Sequence, residues 1–126
     1  MAVQHPILMR QQVGDLVCTM PSGNLIFRPT GSTPSAPGTA IATLPLSATA
    51  FGASNASAVS TANAITQDSN ATGGTVAFAT LGTSGGVIHV HCAVAASGSD
   101  INMSGGLVVA AGDIVSCSSL TYTAMP

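Results

Sequence analysis

Residues 73–126 read GGTVAFATLGTSGGVIHVHCAVAASGSDINMSGGLVVAAGDIVSCSSLTYTAMP, with alternating side chains between paired glycines. In residues 86–95, Ile88, Val90, Cys92 and Val94 fall on one side and Val87, His89, His91 and Ala93 on the other. A period of two marks a strand with one buried face, because successive side chains leave a pleated backbone in opposite directions. Ser84-Gly85-Gly86 before this strand and Ser97-Gly98-Ser99-Asp100 after it supply the positive φ angles that tight hairpins need.

The same grammar extends in both directions. Downstream, short strands are expected over 101–103 and 107–110, split by Ser104-Gly105-Gly106, and a last strand over 114–124. In that last strand the apolar parity slips by one between Val115, Cys117 and Leu120, Tyr122, which a β-bulge near Ser118-Ser119 would absorb. Upstream, 75–81 is a strand in which Val76 and Phe78 share a face, and 54–67 is read as strand on its β-branched residues despite its alanines. Pro45 marks 40–46 as an edge or a bulge, and Phe51 places 49–53 in the core. Residues 29–38, PTGSTPSAPG, are too rich in chain breakers for a ladder and form a long surface loop. Leu16, Cys18 and Met20, opposite Val17 and Thr19, predict a strand from Val13 that turns at Pro21-Ser22-Gly23 into a second over 24–28. Residues 1–12 lack periodicity and carry His5-Pro6, which argues against a helix there, so they are read as an N-terminal arm. About eight to ten short strands with regular turn signals predict an all-β, single-domain antiparallel β-sandwich, jelly-roll-like, over 13–126.

Composition narrows function. With 126 residues, one core is expected. Charged residues make up 5% of the chain, with no Lys and no Glu, against about 25% in an ordinary soluble domain. So little charge is a liability for a protein free in solution and less of one for a protein docked on a larger assembly. Two arginines, Arg10 and Arg28, and a net charge of −2 cannot neutralise a run of phosphates, so nucleic acid is not an expected partner. No apolar stretch reaches the ~20 residues that span a bilayer, nor does the N-terminus hold a signal-peptide core, so no membrane partner and a cytoplasmic origin are expected. Cys18, Cys92 and Cys117 are read as buried free thiols, one disulfide with one free thiol being the other option.

Candidate chemistry is sparse. His89 and His91, at i and i+2 on one strand face, lie close enough to share a metal such as zinc, but a site needs further ligands and no spacing ties His5 or any aspartate to them. The favoured alternative leaves both exposed or in a subunit interface. Serines abound without a nucleophile elbow, and Asp68, Asp100 and Asp113 sit in turn contexts where Asp caps backbone. No enzyme and no cofactor are expected. Asn55, Asn70 and Asn102 head glycosylation-like triplets, which chance explains in so Asn- and Ser-rich a chain.

From Leu25 onward the chain carries, in order, Thr30-Gly31-Ser32 with Pro34, Ile41 to Leu44 with Leu46, Ala50-Phe51-Gly52, and Ala62 to Thr66 with Asp68. It continues with Ala71 to Thr75, Gly82-Thr83-Ser84-Gly85, Ser97 to Asn102, Ala111-Gly112 and a Ser/Thr-rich strand ending in Pro126. As a set these resemble a group of small structural proteins of tailed bacteriophages and prophages. The resemblance implies a virion component without catalytic residues, placed as a capsid cement (decoration) protein that bridges major capsid protein subunits on the capsid surface. A homo-oligomer, dimer or trimer, goes with that role. The HVHC run at 89–92 and the segment before Leu25 depart from the pattern. Contacts to the shell or to partners are expected from the arm and the loop, at His5, Ile7, Leu8, Arg10, Arg28, Thr30 and Pro34. The alternative is a tail-fibre or baseplate module that binds host glycans, which the scarcity of aromatic residues disfavours; a small metalloenzyme built on His89 and His91 is a third reading.

Overall fold

The computed structural model describes residues 6–103 and 105–123. Among these residues the chain forms one helix, α1 (Ile7–Val17), and nine short strands: β1 (Asn24–Arg28), β2 (Ala42–Pro45), β3 (Val59–Thr61), β4 (Gly74–Thr75), β5 (Phe78–Gly82), β6 (Ile88–Ala95), β7 (Ile101–Asn102), β8 (Val108–Val109) and β9 (Thr121–Thr123). Five strands build the main sheet in the order β2-β1-β5-β6-β7, while β3-β9 and β4-β8 are two-stranded ribbons. The sheets curl into a half-barrel, so the all-β expectation holds at the level of a mostly stranded chain with one short helix.

The helix takes up residues 7–12 of the expected arm and 13–17 of the strand expected from Val13; residues 1–5 of the arm lie outside the described residues. Pro6 stands just before the helix with φ −57° and ψ 153°, and its carbonyl accepts the first helical hydrogen bond from Arg10 N–H at 3.0 Å. Proline is tolerated there because the first turn needs no N–H from it. The restriction that proline imposes falls on His5, which lies before the helix and outside the described residues. Leu8, Met9, Arg10, Gln11 and Gln12 are all good helix formers. Beyond the helix Cys18 and Met20 do turn into the core, as the alternation required, but Leu16 stays on the helix surface.

Register sets which side chains share the core. The pairs Leu25↔Leu44, Leu25↔Leu81, Phe27↔Ala79, Leu81↔Val90 and Ala79↔Cys92 place these residues on one face. Leu46, Ala50, Phe51, Ala71, Val76, Val109 and Val115 close the core against that face. The isolated bridges Leu46↔Ile65, Phe51↔Ala62 and Asp68↔Val115 carry the chain from the end of β2 into this second, irregular layer.

Three local expectations change. First, the turn after β6 does not make a hairpin. It lays β7 parallel to β6, with Val94↔Ile101 and Ala95↔Asn102 paired, so the main sheet is not wholly antiparallel. Second, the chain leaves the ladder between β4 and β5, where Val76 N–H bonds Leu107 O; Val76 then enters the core while Phe78 faces the other side of the sheet. Third, the parity slip of the C-terminal segment is taken up by a break rather than a bulge. Val115 pairs with Asp68, and the ladder resumes only at Thr121, opposite β3.

Candidate functional site

The face of the main sheet away from the core carries the cross-strand row Thr43, Ile26, Thr80 and His91, with Arg28 and Phe78 in the next row on one side and His89 on the other. In a one-sided sheet this face would be open. Instead Thr80 is 1% exposed, because two N-terminal segments lie over it. His89 Nδ1 is 2.8 Å from the carbonyl oxygen of Val17, the last residue of α1. A carbonyl can only accept, so Nδ1 carries the proton and donates. His91 Nε2 is 3.1 Å from the hydroxyl of Ser32 in the 29–38 loop, and its ring lies against Phe78 with centroids 5.0 Å apart. Arg28 donates from Nη1 to Gly38 O at 2.8 Å and from Nε to Thr80 Oγ1 at 3.3 Å, which fixes the far end of the same loop.

The two histidines therefore share a face, as their spacing required, yet each is engaged by a different segment of its own chain. They are half-buried pins rather than open surface. Among the described residues no group of three or more His, Cys, Asp or Glu side chains is placed to hold a metal ion. The carboxylates are spread out and bound to backbone: Asp15 accepts from Ser54 N–H, Asp68 from Thr43 and Asn70, Asp100 from Ala93, and Asp113 from Ala110. Asn55 and Asn102, heads of two of the glycosylation-like triplets, likewise accept backbone N–H groups through Oδ1.

The cysteines are free thiols, Cys18 buried and Cys92 and Cys117 half-buried. Burial pushes Cys92 up to about 11, with Asp100 adding to the effect. Burial also raises Cys18, outweighing the Ser60 hydroxyl that lowers it, and raises Cys117 against the Ser119 carbonyl. Thiols held protonated in this way are poor nucleophiles and poor metal ligands near neutral pH.

The residues expected to meet partners occupy two places. Arg28 is turned inward to anchor the loop, whose outer side presents Thr30 and Pro34 to solvent. On α1, Gln11 Nε2 donates to Asn55 O at 2.8 Å and Asp15 accepts from Ser54, so the polar side of the helix faces the body and Gly14 is buried there. Arg10 is half-buried on the helix flank. The opposite side is apolar and open, with Leu8, Met9, Val13 and Leu16 between 42% and 73% exposed, while Ile7, 44% exposed, stands at the first turn on the arc of Gly14 and Gln11. His5 lies outside the described residues. Sequence reading singled out Ile7 and Leu8 but missed Met9, Val13 and Leu16; a helical wheel over 7–17 would have grouped four of the five, since Leu8, Met9, Val13 and Leu16 fall on one arc.

Two further apolar exposures lie elsewhere, at Val87 in the β5–β6 turn and at Val108 and Ile114. The latter two line an open groove of about 690 Å³ that also carries Asp100, Asp113 and Cys117, with Phe27 at its base. Phe27 and Phe51 are buried, and Phe78 and Tyr122 half-buried, so among the described residues no Phe or Tyr side chain is largely exposed. No helix among the described residues is long and apolar enough to cross a membrane. Comparisons with family models, curated proteins and solved structures found nothing that matches this chain.

Proposed function

We propose that this chain is a non-enzymatic virion structural protein, a capsid cement protein that bridges neighbouring major capsid subunits on the outer face of the shell. The observation that carries the reading is the placement of exposed apolar side chains. They lie on three separate parts of the surface, α1, the Val87 turn and the Val108–Ile114 lip, in a chain with 5% charged residues. A single exposed apolar residue such as Val87 is ordinary by itself, whereas the contiguous patch on α1 and the Val108–Ile114 lip of the groove mark surfaces that are covered in use. A clip that joins several subunits needs such surfaces on more than one side, and many weak contacts made at once by a rigid body add up to firm attachment.

The anchoring of the 29–38 loop supports the same reading. Ser32 with His91 and Arg28 with Gly38 hold the loop at both ends, so Thr30 and Pro34 are offered on a preformed surface and little ordering cost is left for binding. A glycan-binding tail module would be expected to stack sugars on open aromatic faces, and among the described residues no Phe or Tyr side chain is largely exposed.

The test is to add the purified chain to phage shells that lack it and measure bound copies at saturation, together with the temperature at which the shells come apart. Hundreds of copies per shell and a raised disruption temperature are expected. A few to a few tens of copies would indicate a tail position, and no binding would end the proposal.

A further inference from the structure

The groove of about 690 Å³ beside Val108 and Ile114 brings together two strands whose outer edges are unpaired. In β7 the N–H of Met103 bonds the carbonyl of Ala95 at 2.8 Å, so every second residue turns its backbone towards β6. Asn102, between Ile101 and Met103, therefore points its N–H and C=O away from β6, at the margin of the main sheet. The same alternation holds in β8. Val76 N–H bonds Leu107 O at 2.9 Å and Val109 lies opposite Gly74, so the N–H and C=O of Val108 point away from β4. Asn102 and Val108 both line the groove, and residues 116–119 on its C-terminal side make no backbone–backbone hydrogen bond among the described residues.

Charge determines what fits there. Asp100 and Asp113, two of the four acidic side chains, stand in this groove and are exposed. Each uses Oδ2 on a backbone N–H, of Ala93 and of Ala110, which leaves Oδ1 for a partner. The chain has no Lys, and its two arginines lie elsewhere, Arg28 on the 29–38 loop and Arg10 on α1. The groove thus carries negative charge with no cation of its own chain to answer it. Val108 and Ile114, 77% and 65% exposed, make its lip apolar.

We propose that this groove takes an extended peptide segment of a partner protein, in which apolar side chains alternate with Lys or Arg. The main chain of that segment pairs with the free edges at Asn102 and Val108, its apolar side chains rest on Val108 and Ile114, and its cations meet Asp100 and Asp113. A strand's period of two sorts the two kinds of side chain onto opposite sides, so one segment can satisfy both the lip and the carboxylates. A sheet edge left open is a template for pairing, and the carboxylates restrict which chains can use it by repelling acidic ones. The inference does not rest on the cement reading, because its probe is a free peptide.

That probe is a capped hexapeptide in which Val alternates with Lys, titrated into the full isotope-labelled chain and followed by amide NMR shifts. Saturable shifts within 100–121, largest at Asn102 and Val108, are expected, with a dissociation constant of roughly 10–500 μM. Replacing Lys by Glu in the peptide should weaken binding at least about tenfold, and N-methylation of its amides should abolish it. Asp100→Asn combined with Asp113→Asn keeps a carbonyl oxygen for Ala93 and Ala110, so the melting temperature should hold while affinity falls at least about fivefold. No saturable shift, a Glu peptide that binds as tightly as the Lys peptide, an N-methylated peptide that still binds, or shifts centred on α1 or the 29–38 loop would each overturn the inference.

Discussion

His91 has one face against Phe78 and its Nε2 on Ser32, so it joins the sheet to a loop that has no ladder of its own. Its removal should cost about 1–2 kcal/mol, a hydrogen bond plus a ring contact. For His91→Ala we expect protease cleavage within 29–38 to accelerate several-fold while the far-UV spectrum is kept, and unchanged cleavage would show that the loop is held by Arg28 alone. Cys92 sets a pH limit. Its thiol is pushed up to about 11 from the ordinary 9.0, so between these values the folded chain keeps a proton that the unfolded chain releases. Stability then falls as pH rises through this window. The melting temperature should hold below pH 9 and decline towards pH 11, and Cys92→Ala should flatten part of that decline in a calorimetric series. That His89 and His91 share a face was legible from their spacing alone, because a strand's period is two. What they hold was not, since Val17 and Ser32 lie 72 and 59 residues away in the chain.

At the scale of elements, the central alternation was readable and the N-terminal one was misleading. Leu16, Cys18 and Met20 match a strand template over five residues, but α1 ends at Val17, so the first of them is helical and the other two enter the core as the chain turns towards β1. So short an apolar run cannot separate the two periods, and the uninterrupted helix formers before it decided the outcome. The turn between α1 and β1 is tight. A Cβ added to Gly23 would meet the carbonyl oxygen of Gly82 at the end of β5 and also crowd Met20. Gly23→Ala should therefore cost about 1–3 kcal/mol by overpacking, read as a lowered denaturation midpoint with unchanged slope. Gly31→Ala, with open space for its Cβ but a φ of +85°, should cost about 1–2 kcal/mol through backbone strain alone.

At the scale of the whole molecule, the chain places its apolar excess on separate surfaces and uses its few charged groups to hold its own backbone. Asp15, Asp68, Asp100 and Asp113 each hold a backbone N–H, and Arg28 holds a loop. With 5% charged residues, and three of these aspartates exposed, the surface carries few charges and those are tied to backbone. If the shell is the partner, replacing Thr30 and Pro34 together by Asp should lower shell affinity at least about tenfold without moving the melting temperature, as measured by co-sedimentation with shells lacking the protein. Unchanged affinity would move the shell contact off the loop. By itself the sequence determined the stranded character, the scarcity of charge, the pairing of the histidines on one face and the Pro/Gly loop, because these follow from local periodicity and composition. Only the tertiary structure decided that the first segment is a helix with its apolar side outward, that the histidines pin that helix and the loop to the sheet, and that β7 runs parallel to β6. Each of those depends on contacts between residues distant in the chain, where packing and hydrogen-bond satisfaction outweigh local preference.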